Sequence, residues 1–369
     1  MDGLCSSNVK GKGIRMNNIS KVRQALSEQD YGAIMVTSPA SRLYSTGFAS
    51  SAGVLLVTAD DAWFFTDTRY IEVAGSAVKD AHVKLTTNDK PYSVQIKSVL
   101  DKNGITSVGF EDNHVTYAGY LEWTDKLGTK LISAQKIIDG LRAVKSLHDL
   151  EKMKEAQRIS EKSFQEILPL ICTEITEKQL ATELIYRFLI NGADDKAFDP
   201  IIVSGTKTSM PHGVPDDTKI SAGFLTIDFG ARVNGWCSDT TRTICIGKPD
   251  EEMINVYNTV LKAQEAGINA AHAGISGFDI DAAARTVIEN AGYGEYFGHG
   301  FGHSIGLEVH ESLRASQVTE DILPAGAVMT AEPGIYLPGR FGVRIEDTIY
   351  ITDNGCINIT NLDKNLIVL

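Results

Sequence analysis

Twice in the second half of this chain an acid stands at the end of an apolar strand, beside a turn, with a second acid beyond the turn. The first pair is Asp228, in Leu225-Thr226-Ile227-Asp228-Phe229-Gly230, and Asp239, in Cys237-Ser238-Asp239-Thr240-Thr241-Arg242. The strong turn signal Asn234-Gly235 lies between them, so both acids can face each other across a hairpin. The second pair is Glu332, in Ala331-Glu332-Pro333-Gly334, and Glu346, in Arg344-Ile345-Glu346-Asp347, on either side of Pro338-Gly339. Taken singly, each acid reads as an ordinary turn, cap or surface residue. Repetition changes that reading. A carboxylate buried in a strand must be paired or must hold a cation, because isolated buried charge is costly. Four such acids around one neutral imidazole are balanced by two divalent cations. Oxygen-rich ligation suits Mn2+ first, with Co2+ or Zn2+ as alternatives. Two metals close together make a hydrolytic centre.

The run GHGFGHSIGLEVHE, residues 298–311, supplies three histidines: His299, His303 and His310. It also contains Gly302-His303-Ser304-Ile305-Gly306, which fits the G-x-S-x-G elbow of serine hydrolases. That elbow needs an acid and then a histidine after the serine. The only histidine after Ser304 is His310, six residues on, and none follows Asp321, Asp347, Asp353 or Asp363. A run so rich in glycine and histidine is also a poor helix start. Ser304 therefore reads as a small filler beside a site, and a serine hydrolase is the remote alternative.

The 369 residues suggest two domains. With 43% hydrophobic and 22% charged residues, the composition is that of an ordinary globular protein. The formal net charge of −12 argues against nucleic acid or an anionic membrane as the main partner. No apolar run approaches the roughly 18 residues of a membrane span. Residues 1–15 lack an apolar stretch and read as a leader or added extension, with Met16 a plausible start. The five cysteines are scattered, without C-x-x-C, and read as reduced thiols in a cytoplasmic protein.

From 16 to 140, short apolar runs near 33–36, 53–57 and 63–66 alternate with amphipathic stretches near 19–28, 91–102 and 115–127, which indicates an α/β layer. Around 140 the texture changes. A charged, mostly helical stretch covers 141–171, and a second helix covers Thr176–Ile190, begun by Thr176 with Glu177 in its first turn. The domain from 141 to 369 then mixes long helices with hairpins, an α+β pattern.

These motifs, in the order LTIDFG, SDTTRT, GHGFGHSIGLEVHE, EPGIY and GVRIEDT, resemble the pita-bread metallopeptidases, whose members include Xaa-Pro aminopeptidase, prolidase, methionine aminopeptidase and the metal-free creatinase. The resemblance covers about 145 to the end. It implies the metal ligands Asp228, Asp239, His303, Glu332 and Glu346. His303 is preferred to His299 because the family's metal histidine precedes a second histidine by seven residues, here His310. It further implies that His212, His299 and His310 are substrate-side histidines. Arg344 either fixes the site through hydrogen bonds or is an ion-pair partner of a neighbouring acid. His82, His114, His148 and His272 read as structural. The first domain resembles the creatinase/prolidase N-terminal domain: Ser41-Arg42-Leu43-Tyr44-Ser45-Thr46-Gly47-Phe48 is similar to N-x-x-Y-x-T-G-F, with serine in place of asparagine and Tyr44 open to a packing role.

The resemblance implies a metal-dependent Xaa-Pro aminopeptidase that cleaves peptides with proline at the second position, using a hydroxide activated by two metals and Glu332 as proton shuttle. It also implies a homodimer. A prolidase restricted to dipeptides is the close alternative. A non-catalytic binding module on the same fold is the alternative of a different class.

Overall fold

The computed structural model describes residues 18–369, in which the chain divides into two compact units, 18–141 and 142–369. The expected leader, Met16 and Cys5 lie outside the described residues.

The first unit is built on one sheet. Its strands are β1 (Ala33–Val36), β2 (Val54–Thr58), β3 (Ala62–Thr66), β4 (His82–Leu85), β5 (Ser107–Phe110) and β6 (Lys130–Ser133), in the order β4-β3-β2-β1-β5-β6. Strands β1 to β3 form an antiparallel meander, while β3–β4, β1–β5 and β5–β6 pair parallel. β1 and β2 are buried throughout, which is why they read as unbroken apolar runs rather than alternating ones. Alternation still sorts their side chains. Ile34, Val36, Leu55 and Val57 pack in one core, and Ala33, Met35, Val54 and Leu56 in the other.

The N-x-x-Y-x-T-G-F-like segment is the helix Pro39–Thr46, capped by Ser38 and ended by Gly47 at φ 69°. A left-handed C-cap costs glycine no Cβ clash. The Tyr44 hydroxyl donates to the Leu141 carbonyl. Ser41 is wholly buried beside Glu111, itself 1% exposed. Glu111 accepts the Thr37 N–H at 2.5 Å, the Ser38 N–H at 2.8 Å and the Ser38 hydroxyl at 2.7 Å. Burial pushes its carboxyl upward, but the hydrogen bonds from Ser41, Ser38 and Thr37 outweigh that and hold it below its ordinary value.

The second unit repeats one design twice. The strands Gly223–Phe229 and Thr240–Ile246 pair antiparallel, and beyond a break at Gly230 and Ser238–Asp239 the same two chains pair again as Ala231–Val233 with Trp236–Cys237. Asn234 at φ 51° and Gly235 at φ 83° close this bent hairpin. In the second hairpin, Val328–Ala331 pairs with Asp347–Thr352 and, past a break at Glu332–Pro333 and Ile345–Glu346, Gly334–Leu337 pairs with Phe341–Arg344.

Each hairpin lays its apolar face on a helix pair. Leu225, Ile227 and Phe229 pack against Leu147–Ile167 and Glu177–Ile190. Met329, Ala331, Val343 and Ile349 pack against Glu251–Ala270 and Gly277–Asn290. The helical stretch expected over 141–171 is interrupted. One helix ends at Ala143 and the next starts at Leu147, because Ser146 and Asp149 form a capping box there. Among the described residues no helix is long and apolar enough to cross a membrane, and Cys172, Cys237, Cys245 and Cys356 are free thiols.

Candidate metal centre

Strand parity decides which side chains meet. With Ile227 and Phe229 turned to the helices, Asp228 must face the other way. The register pairs Asp228 with Thr241 and Phe229 with Thr240. Continued one step, it sets Asp239 across from Gly230, on the same face as Asp228. The two acids are thus diagonal neighbours at the bend, not directly opposed as expected. In the second hairpin Ala331 pairs with Asp347, and one step on Glu332 lies opposite Glu346. Asp347, the flanking acid, faces the helices instead and pairs with Arg242 at 2.8 Å and Lys364 at 3.1 Å.

Two close backbone approaches at the site depend on glycine. A Cβ on Gly230 would lie 2.0 Å from the Ser238 carbonyl oxygen, and one on Gly302 would lie 2.0 Å from that of Thr330. The second approach seats the Gly302–His303 strand against the second hairpin, where His303 N–H donates to the Thr330 hydroxyl at 3.0 Å.

The structure gathers all five expected ligands around one cavity of about 560 Å3. One carboxylate oxygen from each of Asp228, Asp239 and Glu346 lies within 4.8 Å of the others. His303 Nε2 is 3.3 Å from Glu332 Oε1 and 3.8 Å from Asp239 Oδ2. His303 Nδ1 faces the Ser304 carbonyl at 3.3 Å, which can only accept, so the proton sits on Nδ1 and Nε2 presents its lone pair to the acids. Ser304 is wholly buried, and its Oγ accepts the Leu313 N–H. It closes the neck of the 304–313 loop, as the filler reading expects.

The electrostatics ask for positive charge. Burial first, and then neighbouring carboxylates, push Asp239 and Glu346 well above the ordinary carboxylate range. Burial also raises Glu332, against the opposing pull of His299 and Arg344. His303 is lowered to about 4, chiefly by burial, and is therefore neutral near pH 7. Asp228 Oδ1 and Glu346 Oε1 are buried with no hydrogen-bond partner. Buried acceptors are seldom left so. Two orphaned oxygens among crowded acids, with a neutral imidazole lone pair beside them, fit divalent cations by donor chemistry and by charge.

Other side chains fix these acids. Arg344 is buried and does both things expected of it. It pairs with Asp228 Oδ2 at 2.7 Å and donates to the Thr241 hydroxyl at 3.0 Å and the Tyr336 hydroxyl at 2.9 Å. Burial opposes its charge, but Tyr336 and Asp228 outweigh it and hold the guanidinium protonated. Thr241 in turn donates to Glu346 Oε2 at 2.8 Å, and Thr330 to Glu332 Oε1 at 2.9 Å. Thr241, Thr330 and Tyr336 escaped the sequence reading, although SDTTRT and EPGIY contain two of them. A hydroxyl that orients a carboxylate has no spacing signature of its own.

His212, His299 and His310 all line the cavity. The His310 and His303 rings are 4.3 Å apart. His299 Nδ1 is 2.8 Å from the Gly300 carbonyl, so it carries the proton, and Nε2 accepts from the Tyr336 hydroxyl at 2.9 Å. Burial lowers His299 and His310, keeping both imidazoles neutral near pH 7. Phe198, Pro200, Ile201, Val214 and Val309 form an apolar wall. His82, His114, His148 and His272 lie outside the cavity.

Comparison with known proteins agrees with this architecture. The family model described as metallopeptidase family M24 matches residues 151–353, and that of the creatinase/prolidase N-terminal domain matches 18–144. An uncharacterized peptidase of Bacillus subtilis is 38% identical over 353 residues, covering 95% of this chain and 99% of its own length. The structure of an Xaa-Pro dipeptidase from Bacillus anthracis matches with a TM-score of 0.92 and 37% identity, over 95% of this chain and 99% of that one. That of an X-Pro aminopeptidase from Thermotoga maritima matches with a TM-score of 0.88 and 34% identity, over 94% and 100%.

Proposed function

The chain belongs to metallopeptidase family M24, with a creatinase/prolidase N-terminal domain ahead of its pita-bread domain, and we propose that it is an Xaa-Pro aminopeptidase, which hydrolyses the bond before a proline at the second position of a peptide. It is an enzyme of the prolidase and aminopeptidase P type. The observation that carries the reading is the acid box itself: four carboxylates on two bent hairpins and one imidazole on the strand seated against the second, with two buried oxygens unpartnered.

In this reading Asp228, Asp239, His303, Glu332 and Glu346 hold two divalent cations, Mn2+ first because oxygen donors predominate. When bound, the pair supplies Lewis acidity and a water acidified enough to attack at neutral pH. The protein does the rest. A bond to proline has no amide hydrogen, and proline fixes φ. The leaving nitrogen therefore needs a placed proton, and Glu332, fixed by the Thr330 hydroxyl, takes one from water and returns it to that nitrogen. His212 and His310 face charge that develops on the carbonyl oxygen. His299 lines the same wall. Arg344 holds Asp228 by Oδ2 and leaves Oδ1 buried without a hydrogen-bond partner. The apolar wall excludes water and receives the side chain and the proline ring. The enzyme is proposed to act as a cytoplasmic homodimer.

Prolidase is the second reading, favoured by the dipeptidase name of the 37% identical structure. Mn2+-loaded protein, given an Xaa-Pro dipeptide and an Xaa-Pro-Xaa tripeptide side by side, separates the two. Cleavage of the tripeptide upholds the aminopeptidase, cleavage of the dipeptide alone replaces it with prolidase, and cleavage of neither removes the Xaa-Pro reading.

A further inference from the structure

His299 sits on an irregular segment. After the short turn Gly294–Tyr296 the chain enters no ladder until Gly302. Side chains flanked by glycine on such a segment have little of their own to hold them, and Gly298 and Gly300 flank His299. Yet its imidazole must meet one partner, the Tyr336 hydroxyl, at one angle.

The segment is held from behind by the helix Gly277–Asn290. Asp281 and Arg285, one turn apart on it, are 0% and 6% exposed. Their ion pair is bidentate, with Nε to Oδ2 at 2.7 Å and Nη2 to Oδ1 at 3.1 Å. The further side-chain hydrogen bonds of the pair go to the histidine segment. Arg285 Nη1 donates to the Phe297 carbonyl at 2.8 Å, and Nη2 to the His299 carbonyl at 2.8 Å. Asp281 Oδ1 accepts the Phe301 N–H at 2.9 Å. The guanidinium lies 4.0 Å from the centre of the Phe297 ring. Residues 297, 299 and 301 are thus each gripped by one pair of side chains. Neither Asp281 nor Arg285 lines the cavity.

A buried ion pair is weak evidence for stability, since a well-packed apolar pair of similar volume often does as well. An apolar pair, however, cannot seize two carbonyls and an N–H at fixed directions. Three polar contacts on alternate residues fix the backbone on both sides of His299, and with it the direction of the Cα–Cβ bond.

We propose that Asp281 and Arg285 are positioning residues for His299: the pair sets the backbone of 297–301 so that the imidazole meets the Tyr336 hydroxyl, continuing the hydrogen-bond line that runs from Asp228 through Arg344 and Tyr336. The proposal rests on the reading of His299 as a substrate-side group. It assigns the pair no contact with substrate and no part in the chemistry.

The test is a double-mutant cycle. Arg285→Lys keeps the charge but reaches too few acceptors to hold two carbonyls, and Asp281→Asn keeps an acceptor for Phe301 with the charge removed. Both are made in the wild-type and His299→Ala backgrounds, with metal content and circular dichroism recorded for each. Residues that act through a third become silent when the third is removed. In the wild-type background each change is expected to lower kcat/KM on an Xaa-Pro tripeptide about tenfold, a loss typical of a small misplacement. In the His299→Ala background the same change is expected to cost less than about twofold. Equal losses in both backgrounds overturn the proposal. A second readout needs no turnover: in Zn2+-loaded protein with 15N-labelled histidine, the His299 ring signals should move in Arg285→Lys while those of His303 stay. Should the wild type cleave no Xaa-Pro peptide, the proposed function fails, and the ring signals alone decide the positioning role: movement upholds it, and its absence overturns it.

Discussion

Two buried acid sites in this chain are built on opposite principles. Glu111 in the first unit is a lone carboxylate met by donors: the Thr37 and Ser38 N–H groups and the Ser38 and Ser41 hydroxyls. It is held below its ordinary value and is complete as it stands. Four acids share the cavity of the second unit, where Asp239 and Glu346 are pushed up and two oxygens find no donor. Both sites use acids at strand ends and threonine or serine hydroxyls. What differs is the balance of donors to acceptors. A satisfied acid fastens a fold. An acid left short of donors is an invitation to a cation.

The comparison can be broken by substitution. Asp239→Asn should cut Xaa-Pro hydrolysis roughly 10³-fold, measured as released amino acid, yet leave the chelator-treated protein no less heat-stable, because it removes one of several repelling charges. A drop in melting temperature would show that this acid is structural after all. Glu111→Gln should do the reverse. It turns an amide N–H toward backbone donors and should cost about 2–3 kcal/mol, read as a lower urea midpoint, with kcat of the still-folded enzyme little changed. Thr241→Val strikes between the two, since this hydroxyl orients Glu346 and receives Arg344. Metal affinity should fall about tenfold, measured by competition with a chelator, with the fold intact.

The smallest effect is in pH. The folded-state value of Glu111 is depressed, so its contribution is fully present above its unfolded value of about 4.3. It is lost only as pH falls through the lower folded value. Acid titration of stability should therefore show a component below pH 4.3 in the wild type that Glu111→Gln lacks. Equal acid slopes in the two proteins would mean that the donors around Glu111 do not favour its charged form.

Much of the acid box was legible because it is written in a short code. Turn dipeptides fix the hairpins, and a period of two then places Asp228 with Asp239, and Glu332 with Glu346, on shared faces. The register set by the Asn234-Gly235 turn runs through the bend unchanged and puts Asp239 opposite Gly230, which is why Asp228 and Asp239 are diagonal. The histidines were harder. Three fall within a dozen residues, and only the approach of Gly302 to Thr330, a contact between distant segments, puts His303 rather than its neighbours among the acids. Asp281 and Arg285 were illegible for a different reason. An Asp and an Arg four apart on a helix read as an exposed ion pair, and nothing local says that this face is buried. The capping box at Ser146 and Asp149 was in plain view, but the charged periodicity on both sides of it read as one helix.

The clash that a Cβ would make at Gly230 and at Gly302 also says where this enzyme can change. In a library randomised across the cavity those two positions should return glycine almost alone, and the acids tethered to them should vary little. Val214 and Val309 belong to the apolar wall of the same cavity and are not among the expected ligands. New preferences for the residue ahead of proline should therefore arise by exchange along that wall, generation after generation, while the frame that places the acids is inherited unaltered.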